Sequence, residues 1–399
     1  MALDPTLISK TFDGDRLRQA RQLALKTKQG LAASVSVSAS AIGQFEAGTS
    51  VPRPELIPRL AKELNVRPEF FTTGRPKVHL PVESAFFRSL RATTAKQRSR
   101  ATSYTEQLWE LVSAIEEHVR LPIVDIPGFS GGEIAPGILP SEPRAAAQSL
   151  RRVWQLGTGP IPHMVNLLEQ HGIVTVIVPD VEDEVARIDA FSTLIFSRPI
   201  IVLSPSRADD VYRHRFTAAH ELGHLILHGD QVSGGSAMER EADKFAAEFL
   251  TPSATIKPDL PTRVDFRKLD TMSRWWGVSV KSLIYRSREV GNLSEPTARR
   301  AFMRLNQLTT EGVFRPEPVN LHPGEIPSML RQAVELAERR GVTISSLADQ
   351  LEWTTAHLRE MLGMPDDRPV LRLVVNNGSG HESPGYSALN RTHIATDAC

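Results

Sequence analysis

Near the start of the chain, apolar residues come in short bursts at helical spacing: Leu17, Ala20, Leu23 and Ala24; Leu31, Ala32 and Val35; Ile42 and Phe45; Leu56, Leu60 and Leu64. Bursts this short predict several small helices over 16–72 rather than one long one. The stretch "GTSVPRP" after Glu46 interrupts the pattern, because a glycine and two prolines cannot continue a helix. "TGRPK" at 73–77 reads as a domain edge. Residues 83–121 read as a long helical stretch broken near Thr93 and Thr94, with an apolar face along "YTEQLWELVSAIEEHVRL". The next segment, "PIVDIPGFSGGEIAPGILPSEP", is rich in proline and glycine and predicts a linker or extended arm.

Helices are predicted again at "EPRAAAQSLRRVWQL" and "IPHMVNLLEQHG". The period then changes. "GIVTVIVP" is short and β-branched, and "DAFSTLIFS" and "PIIVLS" flank a turn at Arg198, which predicts a strand pair. A helix beginning between Ser206 and Val211 follows, then a second at "AMEREADKFAAEFLTP" that Pro252 ends. Further helices are expected over 265–308 and in a small unit at 326–363, with a last strand at "RPVLRLVV". The polar tail from Gly378 to Cys399 has no pattern and is expected to be disordered. The expected fold class is α+β, mainly helical, with a small sheet.

Composition narrows the class. The 399 residues are 41% hydrophobic and 23% charged, enough for real cores in two or three domains. A net charge of +1 gives no whole-chain argument for nucleic acid, so any basic site has to be local. Cys399 is the one cysteine, which rules out an internal disulfide and a zinc site built from several thiolates. The N-terminal stretch lacks the apolar core of a secretory signal, and no apolar run approaches the roughly 18 residues of a membrane span. A soluble cytoplasmic protein with no membrane partner is expected.

Residues 215–230, "RFTAAHELGHLILHGD", place two histidines and a glutamate in an apolar run. Burying them there is costly unless each finds a partner. His220 and His224 are four apart and share a helix face, so both can reach one ion. Glu221 projects beside that face, where it can take a proton from water. His228 lies about 12 Å from His220 along the helix axis, too far to share the ion, and reads as a supporting or helix-ending residue. A third ligand must come from elsewhere. On the next helix Glu239, Ala242, Asp243 and Ala246 share one face, and the alanines allow close packing. Glu239 is the candidate ligand, and Asp243 one turn on can brace a ligand histidine through its other ring nitrogen. Glu241, on another face, is the alternative.

Together, "RFTAAHELGHLILH" and "EREADKFAAEFLTP" resemble the ImmA/IrrE family of metallopeptidases, over roughly residues 150 to 255. That family joins an HExxH helix to a helix of the form E-x-x-A-[ND]-x-F-A ending in L-x-P. The matching residues here are His220, Glu221, His224, Glu239, Ala242, Asp243, Phe245, Ala246, Leu250 and Pro252. The resemblance implies a zincin-like domain with zinc as cofactor, ligands His220, His224 and Glu239, and Glu221 as general base. It further implies that one strand of "DAFSTLIFSRPIIVLS" pairs with an extended substrate. His214 and Tyr212 are candidate donors to an oxyanion.

Residues 16–72 resemble the XRE (Cro/repressor-like) helix-turn-helix domain, through Leu31 and Ala32 on the second helix, Ile42 on the third, "FEAG" and "LAKEL". Gly30 inside the second helix departs from the pattern and costs about 1 kcal/mol relative to alanine. No acid lies between Asp15 and Glu46, whereas Arg16, Arg18, Arg21, Lys26 and Lys28 are present, which predicts a local cationic surface for phosphates. Ser38 can cap the third helix, so that Ala39, Ser40 and Gln44 face the major groove. A second basic run, with Arg88, Arg91, Lys96, Arg98 and Arg100, reads either as an extension of the DNA contact or as a solvated helix and loop. The 326–363 unit has few basic residues in its loop and reads as packing or dimerisation.

The expected organisation is a five-helix helix-turn-helix domain at 12–76, a helical linker at 77–148, a zincin-like metallopeptidase domain at 149–310, a C-terminal helical domain at 311–377 and a tail at 378–399. The leading reading is a regulator of transcription that binds double-stranded DNA as a homodimer. Its fused zinc endopeptidase makes a limited cut in a protein substrate such as a repressor. One alternative is a non-proteolytic regulator whose zincin-like domain senses a small ligand or peptide. Another is an antitoxin-like module whose chief partner is a protein.

Overall fold

The computed structural model describes residues 3–80, 95–178, 190–194, 198–204, 208, 210–229 and 236–364. The described residues are mainly helical with small sheets, an α+β fold. None of their helices is long and apolar enough to cross a membrane.

The first five helices are α1 (Pro5–Lys10), α2 (Gly14–Leu23), α3 (Lys28–Ser34), α4 (Ala39–Glu46) and α5 (Ile57–Leu64). Asp4, Asp13, Thr27 and Ser38 start the first four, each accepting a backbone N–H that the helix itself leaves unpaired. Leu17, Leu31, Ile42, Ile57 and Leu60 fill the core, and Ile8 of α1 is buried in it too. A Cβ on Gly14 would meet the Phe45 carbonyl oxygen at 2.2 Å, so the start of α2 lies hard against the end of α4.

The long helix is α6 (Ala95–Glu116). It packs against α2 through charge: Arg16 and Glu110 pair at 2.5 Å, both buried, and Arg18 pairs with Glu106 at 3.3 Å. This corrects the expected cationic surface. Arg21 pairs with Glu46 and Lys26 with Glu63, leaving Lys28 the most exposed of the five, 3.3 Å from Glu46. The acids absent from the local sequence arrive from α4, α5 and α6.

The proline- and glycine-rich segment is no loose linker. Its strands β1 (Phe129–Ser130) and β2 (Glu133–Ile134) form an antiparallel hairpin, with Gly131 and Gly132 both at positive φ in the turn. Trp154 donates its indole N–H to the Asp125 carbonyl at 2.7 Å, and Ile126 is buried.

The main sheet has the order β3–β5–β4, from β3 (Val174–Ile177), β4 (Ala190–Thr193) and β5 (Ile200–Leu203). β3 runs parallel to β5, and β4 pairs antiparallel with β5 as the strand pair predicted from the runs on either side of Arg198. The sheet is a wall between two cores. Val174, Val176, Phe191, Ile200 and Val202 face the core shared with α1–α6, while Ile173, Ala190, Ile201 and Leu203 face the other. Strand alternation makes this possible, since successive side chains point to opposite faces.

The second core is built by α7 (Pro143–Val153), α8 (Met164–Gln170), α9 (Val211–His228), α10 (Ser236–Leu250), α11 (Ser253–Ile256), α12 (Phe266–Trp276), α13 (Val280–Glu289) and α14 (Glu295–Thr310). The last helices, α15 (Met329–Glu338), α16 (Ile344–Gln350) and α17 (Thr355–Met361), return to the first core. Arg67 pairs with Asp349 at 2.6 Å, and His357 contacts Gln107 at 2.6 Å. The expected helix break at Thr93 and Thr94, the cations Arg88 and Arg91, the strand "RPVLRLVV" and the 378–399 tail lie outside the described residues.

Candidate metal centre and helix-turn-helix face

Asp210 caps α9 by accepting the Tyr212 N–H, and Ala218, Ala219, Leu222 and Leu225 bury one side of that helix. Gly223 sets how near α10 can come. A Cβ there would stand 3.3 Å from the Ala242 backbone and 3.1 Å from the Phe245 ring. Only small residues at the crossing let the acids of α10 reach the histidines of α9.

They do reach. One ligand atom from each of His220, His224 and Glu239 lies within 4.8 Å of the other two. Glu239 approaches His220 Nε2 at 3.3 Å and His224 Nε2 at 3.5 Å. Asp243 Oδ1 lies 2.9 Å from His220 Nδ1. Glu241, the alternative ligand, instead contacts His228 Nε2 at 3.0 Å, and His228 Nδ1 lies 3.0 Å from His224 Nδ1.

The ring contacts form one chain whose protons can be assigned. His228 Nε2 faces the Glu241 carboxylate, so it carries the hydrogen. In a neutral His228, Nδ1 then accepts from His224 Nδ1–H, and in a neutral His224, Nε2 accepts from His220 Nε2–H at 3.0 Å. His220 Nδ1 also donates, to Asp243, so His220 is the imidazolium. Its pKa moves the same way. Burial opposes the charge, but the hydrogen bonds to Asp243 and Glu239 outweigh it and push the group up to about 10. The bond from His220 holds the Glu239 carboxyl well below its ordinary value. A proton thus sits among two imidazoles and a carboxylate, a donor set that suits zinc.

Glu221 is buried beside this cluster, and Ser192 of β4 donates its hydroxyl to Glu221 Oε2 at 2.9 Å. Sequence reasoning missed Ser192, because nothing local marks one serine of a strand as the partner of a helix 29 residues away. His214 does not serve as an oxyanion donor. It is fully buried, burial lowers its pKa, and its Nε2 is spent 3.0 Å from the Glu325 carbonyl. Of the two strands considered for substrate pairing, β5 is flanked by strands on both sides and is ruled out; β4 ends the described sheet, its residues all buried.

Residues 168–288 match the family model of the IrrE N-terminal-like domain, Peptidase_M78, and residues 17–71 match a helix-turn-helix model. The two matches support an architecture in which an XRE-type helix-turn-helix is joined to an ImmA/IrrE-like domain. No curated protein matches it in sequence. The IrrE-like match spans the His220–His224–Glu239 cluster, Glu221 and Ser192 together.

In the helix-turn-helix domain, Ser38 accepts the Ala41 N–H at 3.1 Å and starts α4. Lys28, Ser38, Ala39, Ser40 and Gln44 are all exposed, while Ile42 and Phe45 hold the opposite side of α4 in the core. Gly30 stands inside α3, its N–H bonded to the Thr27 hydroxyl at 3.0 Å.

Proposed function

We propose that the chain is a DNA-binding regulator of transcription whose metallopeptidase-like domain is a zinc endopeptidase that makes a limited cut in a protein such as a repressor. The observation that carries this reading is the convergence of His220, His224 and Glu239 beside a buried Glu221. Zinc held by those three residues supplies Lewis acidity toward a peptide carbonyl and a water molecule. The remaining work belongs to the chain. Ser192 occupies one oxygen of Glu221, which leaves the other to take a proton from the attacking water and deliver it to the departing amine. Asp243 holds His220 through Nδ1, and Glu241 holds His224 through His228, so the ligand rings are aimed by acids on α10.

The DNA side of the reading rests on α4. Ser40 and Gln44 offer hydrogen bonds to base edges, Ala39 offers contact to a thymine methyl, and Lys28 offers charge to a phosphate. A homodimer on a palindromic operator is the matching arrangement.

The test uses the full chain. Purified protein carries about one zinc, and incubation with the proteome of its own cells produces new N-termini. The Glu221→Gln variant keeps metal and DNA binding and produces none. A variant that cleaves as fast as its parent overturns the mechanism.

A further inference from the structure

A cavity of about 1060 Å³ opens beside the metal cluster, between α9, α10 and the helices α12–α14. Phe216, one turn before His220, and Asp243, which touches His220, both line it. Its charges are unequal. Five acids line the walls, and each is already engaged. Asp210 caps α9, Asp243 holds His220, Asp270 and Glu317 pair with Arg274, and Glu289 pairs with Arg144 and Arg286. Five lining cations have no carboxylate partner among the described residues: Arg213, Arg240, Lys244, Lys281 and Arg315. All five are exposed; Arg240 reaches the Ser236 hydroxyl at 3.3 Å and Arg315 a backbone carbonyl at 3.2 Å.

We infer that this cavity binds an acidic segment of the protein substrate, next to the bond to be cut. The inference rests on the endopeptidase reading for what the segment is attached to. Cations without a carboxylate partner among the described residues, set around a concave surface, attract carboxylates. Phe216, Leu305 and Phe314 line the space between them, which suits side chains of a polypeptide better than a sugar-phosphate backbone. Continuity with His220 points the same way, since a chain threaded past the metal cluster on the Asp243 side enters this cavity.

The probe is a fluorescein-labelled deca-glutamate peptide titrated into the full chain and followed by anisotropy, with deca-lysine as control. The parent binds deca-glutamate and not deca-lysine, and affinity falls at least about tenfold when salt rises from about 0.05 to 0.5 M. Lys244→Glu with Lys281→Glu weakens binding about tenfold or more at low salt. The milder Lys244→Ala with Lys281→Ala weakens it less and guards against misfolding of the reversed pair. Unchanged affinity in both variants, or no binding by the parent, overturns the inference. So does displacement of the peptide by a short DNA duplex of arbitrary sequence when that displacement is lost in the reversed variant, because the cavity is then a nucleic-acid site. Binding without any protein ever being cut leaves the cavity assignment standing and removes the hydrolase. Cleavage indifferent to the reversal does the opposite.

Discussion

Ser192 Oγ donates to Glu221 Oε2 at 2.9 Å, so the carboxylate beside the His220–His224–Glu239 cluster is held by a hydroxyl from β4, the edge strand of the described sheet. The same hydroxyl also lies 3.2 Å from the Glu221 carbonyl, which fixes the strand against α9. The contact orients Glu221 and leaves one oxygen available for a water.

Replacing Ser192 with Ala removes a bond to a charged acceptor, worth about 1.5–3 kcal/mol. Glu221 then loses its fixed orientation. Zinc content is expected to stay at the parent level while new N-termini appear about tenfold more slowly or worse. Parent-like cleavage rates in Ser192→Ala, measured with full metal loading, contradict the positioning role.

His228 is tested by separating affinity from stoichiometry. It lies outside the His220–His224–Glu239 cluster, yet it links His224 to Glu241. His228→Ala is expected to lower zinc affinity by about 10–100-fold while the saturated site still takes one zinc. Competition against a chromophoric chelator reads the affinity. A stoichiometry that drops to zero assigns His228 to the ligand set instead.

These contacts show which parts of the site were legible in the sequence. His220 and His224 share a helix face by spacing alone, and so do Glu239 and Asp243, because the helical repeat is local and regular. The β4–β5 pair was legible because two short apolar runs flank Arg198 and Pro199. The rest depends on distance along the chain. Arg16 looked free for phosphate until Glu110, 94 residues on, was found against it. The hairpin at 129–134 was hidden because two glycines mark a break in a pattern equally well whether the chain wanders or turns tightly.

Zinc uptake is expected to release a proton from His220. In the metal-free chain that group is raised to about 10, so at neutral pH it is protonated and competes with the metal. Affinity therefore rises with pH, about tenfold per unit up to that value. The sign for stability is the reverse. A raised histidine stabilises the metal-free fold fully below its ordinary value of 6.5, and that contribution fades as pH climbs toward about 10. Chelator competition at two pH values reads the first effect. Calorimetric titration in buffers of different ionisation heat counts the proton. A pH-independent affinity contradicts the assigned imidazolium.

Gly223 controls the spacing of α9 and α10. Its Ala substitution gains about 1 kcal/mol of helix propensity and loses about 1–3 kcal/mol to overpacking against Ala242 and Phe245. The expected balance is a modest loss of stability with a larger loss of zinc affinity, since the few tenths of an ångström by which α10 must give way move Glu239 relative to the histidines. Zinc affinity equal to the parent's shows that the crossing tolerates the methyl.

The helix-turn-helix domain is tied to the long helix α6 through Glu110. This carboxylate is almost fully buried and pairs with Arg16 at 2.5 Å, with Arg75 at 3.8 Å behind it. Burial pushes its pKa up, and the two guanidiniums oppose that shift. Glu110→Ala strands Arg16 as an unpaired buried cation, which costs about 3–5 kcal/mol. Glu110→Gln keeps the shape and one acceptor, and is expected to cost less. Both are read by denaturant unfolding of the full chain. Because α6 contributes to the core that also holds one face of the sheet, the loss is expected in a single transition rather than in the helix-turn-helix domain alone. An early separate transition for residues 3–80 in Glu110→Ala means that the two halves unfold independently, and that the buried pair only docks them.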